Sequence, residues 1–238
     1  MYRPDGYAGT GTELGAEVLD AIRRFDVCTI SNAVETFNVR PANEGFTDGS
    51  IRCLAGGGQG VLGYAATGLI QGSDVPITRQ RCGDREGWWE YVLAAPPPRI
   101  VVLQDASGRP GFGSFLGEVH SAILLRLGSI GAITNGAVRD LPAVEAMGFA
   151  LFGSRVAVSH CYARVVDFGK PVEIGGLRIA PGDLIYGDRH GILSIPKQIA
   201  AELPEAAARL VEREQRILDV CRSTEFSLEK LRAAVCAK

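Results

Sequence analysis

"GEVHSAILLRLGSIGAITNGAVRD", residues 117–140, is the stretch on which the fold turns. Val119, Ala122, Ile123 and Leu127 recur at helical spacing over 117–128, and the apolar run 130–134 that follows is of strand type. Upstream, "RIVVLQD" (99–105) reads as a buried strand, set off by prolines 96–98, which end a helical pattern over 84–95. Strand, helix and strand in roughly 35 residues make a βαβ unit, so two of the strands are expected to lie parallel in one sheet. The stretch closes on Arg139 and Asp140, opposite charges side by side where strand gives way to helix. α/β proteins gather ligands at such junctions. Asp140, followed by Pro142, equally suits the N-cap of a helix over 141–147. Residue types alone leave both readings standing.

Outward from this centre the alternation continues. Leu14, Val18, Leu19 and Ile22 suit one face of a short helix, and "TISNAVETF" (29–37) suggests a second. The Gly-rich run from 55 leads into strand-like "YAATGLI", and another strand is expected near "FALFG" (149–153). Residues 165–196 alternate short apolar runs with Gly and Pro turns, as antiparallel strands do. Beyond Pro196 comes a long amphipathic helix and then a shorter one. The expectation is a single mixed α/β domain over residues 1–238, with 1–11 a flexible N-terminus and a C-terminal helical tail. "GQGVLG" (58–63) matches the G-x-G-x-x-G of dinucleotide loops, but that loop needs a helix after it, and here a strand continues. A turn with close backbone approach is the better reading.

Composition narrows the classes. The chain has 238 residues, 46% hydrophobic and 22% charged, with a formal net charge of -2 and no basic block, so nothing marks a nucleic-acid or anionic-membrane partner. No apolar run approaches a membrane span and no signal core opens the chain, and the six cysteines form no C-x-x-C pair. A soluble cytoplasmic protein is expected. Gly117 opens a helix whose first amides, 118–120, suit a carboxylate or phosphate, and Glu118 suits the positive end of the helix dipole. His120, His160 and His190 lack the i, i+4 spacing of a helical metal site; His190 reads as a turn residue, and His160 as a core histidine before a pocket one. No G-x-S-x-G elbow or Walker loop is present.

Taken together, residues 117–140 and "PVEIGGLRIAPGDLIYGDRHGILSIP" (171–196) resemble the RraA-like family, which includes 4-hydroxy-4-methyl-2-oxoglutarate aldolases also active on 4-carboxy-4-hydroxy-2-oxoadipate. The likeness runs from about Phe25 to the C-terminal helix. Its most specific part is the Gly117–Glu118 pair followed, twenty-one residues after Glu118, by Arg139–Asp140. The resemblance implies a swivelling β/β/α layered fold, assembled as homotrimers or homohexamers with active sites between subunits and the tail, about 197–238, in subunit contacts.

It also implies roles. Asp140 would ligate Mg²⁺ or Mn²⁺ directly and Glu118 would hold the metal's waters, as suits a hard octahedral ion. Arg139 would contact the keto oxygen or carboxylate of the substrate, and the amides of Gly117, Glu118, Val119 and His120 would receive the pyruvyl carboxylate. Asn32 stands where the aldolases carry an acidic residue. Arg164 is the nearest match to a pocket lysine, with Lys170 second. Glu214, or Glu212, matches an acidic residue lent by a neighbouring subunit. The implied function is a metal-dependent lyase that cleaves or decarboxylates a 2-oxo acid through a pyruvate enolate, without an organic cofactor. The alternative is the family's non-catalytic branch, which inhibits the endoribonuclease RNase E by binding it. A methyltransferase reading finds no glycine-rich strand-to-helix loop for S-adenosylmethionine.

Overall fold

Helix α1 (Ala16–Ile22) buries Leu19 and Ile22. A tight link leads to α2 (Val27–Glu35), which starts before the expected Thr29 because Asp26 caps it, its carboxylate accepting from the Thr29 amide at 2.7 Å. The computed structural model describes residues 13–56, 58, 60–75 and 85–236, so the expectation for residues 1–11 lies outside it. Strand β1 (Arg52–Ala55) precedes the glycine run, and β2 (Val61–Gln71) follows it as an eleven-residue strand, as the reading against a dinucleotide loop required.

Next come α3 (Arg85–Ala94) and β3 (Arg99–Asp105), then a three-residue strand β4 (Ser114–Leu116), α4 (Glu118–Arg126) and β5 (Ser129–Thr134). Strand β6 (Ala137–Val138), α5 (Leu141–Ala146), β7 (Ala150–Gly153) and β8 (Arg155–Val156) complete this half. The β-rich half holds β9 (Arg164–Phe168), β10 (Val172–Ile174), β11 (Leu177–Ile179), β12 (Leu184–Asp188) and β13 (Gly191–Ile195). A 3₁₀ turn (Lys197–Ile199) then leads to α6 (Leu203–Arg222) and α7 (Leu228–Cys236).

The main sheet runs β1-β7-β5-β3-β2-β12-β13, with β9 alongside the far half of β2. Strands β2, β3, β5 and β7 are parallel, so the expected βαβ unit is there, and β12–β13 and β10–β11 are the expected antiparallel pairs. Strand alternation sorts the core into layers. On β3, Val101 and Leu103 face Trp88, Tyr91 and Leu124 of the helices, while Ile100 and Val102 face Val172, Ile174 and Ile179 of the β10–β11 hairpin. Hairpin, sheet and helices are the β/β/α layers of the expected fold. Helices α1, α2 and α6 cover the β12–β13 end, and α4 and α5 cover the β5–β7–β1 end. No helix among the described residues is long and apolar enough to cross a membrane.

Two expectations need correcting. Val119, assigned to the buried face of α4, is 67% exposed, and the face the helix buries carries Ser121 and Leu124 instead. His160 is exposed rather than in the core, since it follows β8, both of whose residues are exposed. Its Nδ1 lies 2.8 Å from the carbonyl of Cys161.

Candidate active site

A second sheet, absent from the sequence reading, builds the site. Strands β4, β6 and β8 pair in parallel, and backbone bonds run one residue past β6 and β8. The Arg139 amide donates to Leu116 O at 3.0 Å and the Ala157 amide to Val138 O at 3.0 Å. Gly117–Glu118 and Arg139–Asp140 are thereby set side by side.

Asp140 then behaves unlike an ordinary cap. Its backbone carbonyl accepts from the Ala143 and Val144 amides, but its side chain makes no bond to α5. The residue is left-handed, φ 56° and ψ 34°, a conformation that costs a non-glycine residue about 1–2 kcal/mol, less for Asp. That twist turns the carboxylate away from its own helix and onto the next one. Oδ2 accepts the Glu118 amide of α4 at 3.2 Å and lies 3.5 Å from Arg139 Nε. The Arg139 and Asp140 side chains stay 34% and 38% exposed, open to a ligand.

Gly117 is required here for space. A Cβ on it would stand 2.6 Å from Asp140 Oδ2 and 2.9 Å from Arg139 Cγ. The α4 terminus therefore faces the acid–guanidinium pair with nothing between them. His120, in the first turn, stacks on Phe115 with ring centroids 4.2 Å apart. Burial, together with the charges of Arg85, Arg139 and His160, lowers its pKa to about 4, so the imidazole is neutral near pH 7. Arg85, at the start of α3, had no signal in the sequence, because no spacing ties residue 85 to residue 120.

The other expected residues lie elsewhere in the single chain. Asn32 is exposed on α2 and Glu212 and Glu214 on α6, helices that pack together at the opposite end of the sheet from α4 and α5. The Arg164 guanidinium donates to Asp74 O, Tyr162 O and Gln71 Oε1, bracing the chain that leaves β2. Lys170 pairs with Asp167 at 2.6 Å.

A family model, RraA-like (aldolase/RraA), matches residues 16–194, and so takes in the whole of this site. The chain belongs to the RraA-like family. A protein of Halalkalibacterium halodurans named "putative 4-hydroxy-4-methyl-2-oxoglutarate aldolase" is 31% identical over 155 residues, 63% of this chain and 72% of that one. The solved structure of an uncharacterized protein from Pseudomonas syringae pv. tomato superposes with a TM-score of 0.71 at 24% identity, over 93% of this chain and 95% of that one. Streptomyces coelicolor RraAS2, described as an unusual member of the RNase ES inhibitor RraA protein family, gives 0.68 at 21%, over 85% and 97%. Both structural likenesses are of the RraA-like fold. The family includes aldolases and RNase E inhibitors, so membership fixes the fold and leaves the activity to the site.

Proposed function

We propose that this RraA-like chain is a divalent-metal-dependent carbon–carbon lyase, cleaving 4-hydroxy-2-oxo acids or decarboxylating oxaloacetate through a pyruvate enolate. The observation that carries this reading is the Asp140 carboxylate, held off its own helix between Arg139 and the α4 terminus. The donor set fits Mg²⁺ or Mn²⁺. Two carboxylates open to solvent, Asp140 and Glu118, suit a hard ion that keeps most of its water. Asp140 would hold it directly and Glu118 through water. When bound, the ion supplies a Lewis acid for the 2-oxo group.

The protein's own groups do the rest. The Glu118 amide is engaged by Asp140, so the amides of Val119 and His120 are the ones that receive the substrate carboxylate. The Arg139 guanidinium faces the oxygen on which negative charge grows as the carbon–carbon bond breaks, and so lowers that barrier. Neutral His120 adds a polar contact without neutralising the anion. The cations around it suit a dianionic substrate.

The same reading makes the site a product of assembly, in a homotrimer or homohexamer working in the cytoplasm. Exposed Phe112, Val119, Val156, Val158 and Tyr162 come from the elements that carry the site, while Asn32 and Glu214 sit at the far end of the sheet, where they serve a neighbour's site. An asparagine at position 32 offers a hydrogen bond but no carboxylate base, which moves the preferred substrate away from that of the aldolases with an acid there.

Pyruvate release from a panel of 4-hydroxy-2-oxo acids and oxaloacetate, with and without Mg²⁺ or Mn²⁺, tests the proposal. Turnover abolished by chelation and lowered about 10³-fold by Asp140→Ala is expected. No metal-dependent turnover on any member of the panel would overturn it.

A further inference from the structure

Asp105, the last residue of β3, is only 1% exposed, yet no cation pairs with it among the described residues. A carboxylate this deep is costly unless hydrogen bonds satisfy it. The donors come from one loop, residues 106–113. Oδ1 accepts from the Ser107 amide at 3.1 Å and from its hydroxyl, and Oδ2 accepts from the Gly111 amide at 2.7 Å. The loop is wrapped around the carboxylate, and it runs directly into β4, which Gly117 follows.

The backbone of the same residue is held from the other side. Register pairing between β3 and β5 ends at Leu103 and Thr134. Beyond it, the Asn135 side chain accepts the Asp105 amide at 2.6 Å and donates to the Asp105 carbonyl at 3.4 Å, a side-chain rung that extends the ladder. Freed from the ladder, the Asn135 backbone turns. The Gly136 amide donates to Thr134 Oγ1, and the Gly136 carbonyl accepts from Ser154. Ala137–Val138 then leave the main sheet for the small one, and Arg139–Asp140 follow.

We infer that Asp105 and Asn135 are the positioning pair of the active site: Asp105 shapes the loop that delivers Gly117–Glu118, and Asn135 ties it to the turn that delivers Arg139–Asp140. Neither touches substrate. Their bonds set the contact at which the two deliveries meet, the Glu118 amide on Asp140 Oδ2. The consequence for catalysis rests on the lyase reading, whereas the coupling of the two segments does not.

Asp105→Asn is the decisive variant, because it keeps the shape but turns one acceptor into a donor facing either Ser107 or Gly111, leaving a buried group unsatisfied. Ser107→Ala, which removes one donor only, is the milder companion should Asp105→Asn fail to fold. Peptide-resolved amide hydrogen exchange on the full chain is read first. Faster exchange is expected both in 106–120 and in 135–141, with α2 and α6 unchanged. Unchanged exchange at 135–141, or acceleration spread over the whole chain, overturns the inference whether or not the protein turns out to be a lyase. Kinetics follow. A misplacement on this scale is expected to lower kcat about 10–100-fold with KM altered less than about threefold. Asn135→Ala should match it, and Asn135→Asp, which keeps the acceptor for the Asp105 amide but sets a carboxylate oxygen against the Asp105 carbonyl, should not restore the loss. Equal kcat in Asp105→Asn and wild type overturns the catalytic part, while absence of turnover in wild type sinks the lyase reading and leaves exchange to decide the coupling.

Discussion

Gly117 shows how a residue legible in the sequence acquires its reason only in three dimensions. As a helix-opening glycine beside an acid it suggests an anion site; in the fold its missing Cβ is what lets α4 approach Arg139 and Asp140. Gly117→Ala should therefore leave the melting temperature within a few degrees of wild type and lower kcat/KM about 10²-fold, since a small displacement at a reacting centre is costly. His120 gives the pH prediction. Its folded pKa, about 4, lies below the ordinary 6.5, so between these values the unfolded chain takes up a proton that the folded one refuses. Its contribution is whole above about pH 6.5, declines as pH falls and is gone below about pH 4, with roughly 3 kcal/mol as its upper bound. Urea unfolding of the metal-free protein should show that decline in wild type and a shallower one in His120→Phe. Arg139, Asp140, Gly117 and Glu118 were legible because two adjacent pairs at a fixed separation carry a pattern. Arg85 was not, because only the docking of α3 brings its charge within reach of His120.

At the scale of elements, what the sequence shows depends on length. The parallel strands β3 and β5 and helix α3 carry enough residues for a period to emerge. Strands β4, β6 and β8 have three, two and two residues, fewer than any alternation can reveal, and exist because long-range pairing holds them. The small sheet that presents the site was thus invisible while its residues were in plain view. Helix α4 fails differently. Its pattern assigned Val119 to the core because an apolar residue in a helical register normally faces inward, but the first turn is offered to the surface. Leu124→Ala should cost about 2–5 kcal/mol in urea unfolding, the price of a cavity under the sheet, and Val119→Ala at most about 0.5 kcal/mol. Equal effects would mean that the helix sits in the sheet in the register read from sequence.

For the whole molecule, the layers were readable and the assembly was only implied. Within one chain the acid–guanidinium pair lies under α4 and α5, and Asn32 and Glu214 lie across the sheet on α2 and α6. In the assembly proposed above, a head-to-tail ring would unite them, since a heterologous interface sets one end of each subunit against the other end of the next. Val158 is the sharpest probe of that interface. It is 97% exposed, it follows the Ala157 amide bonded to Val138 beside the site, and no packing among the described residues depends on it. Val158→Asp should leave the circular dichroism of the chain unchanged, because nothing buried is disturbed. It should shift the mass measured by light scattering from three or six chains toward one, because a carboxylate in an apolar contact loses its hydration without a partner. Turnover should fall with the mass and recover at protein concentrations that restore the ring. A monomeric Val158→Asp as active per chain as wild type would show that each subunit's site is complete in itself and that Asn32 and Glu214 serve some other purpose.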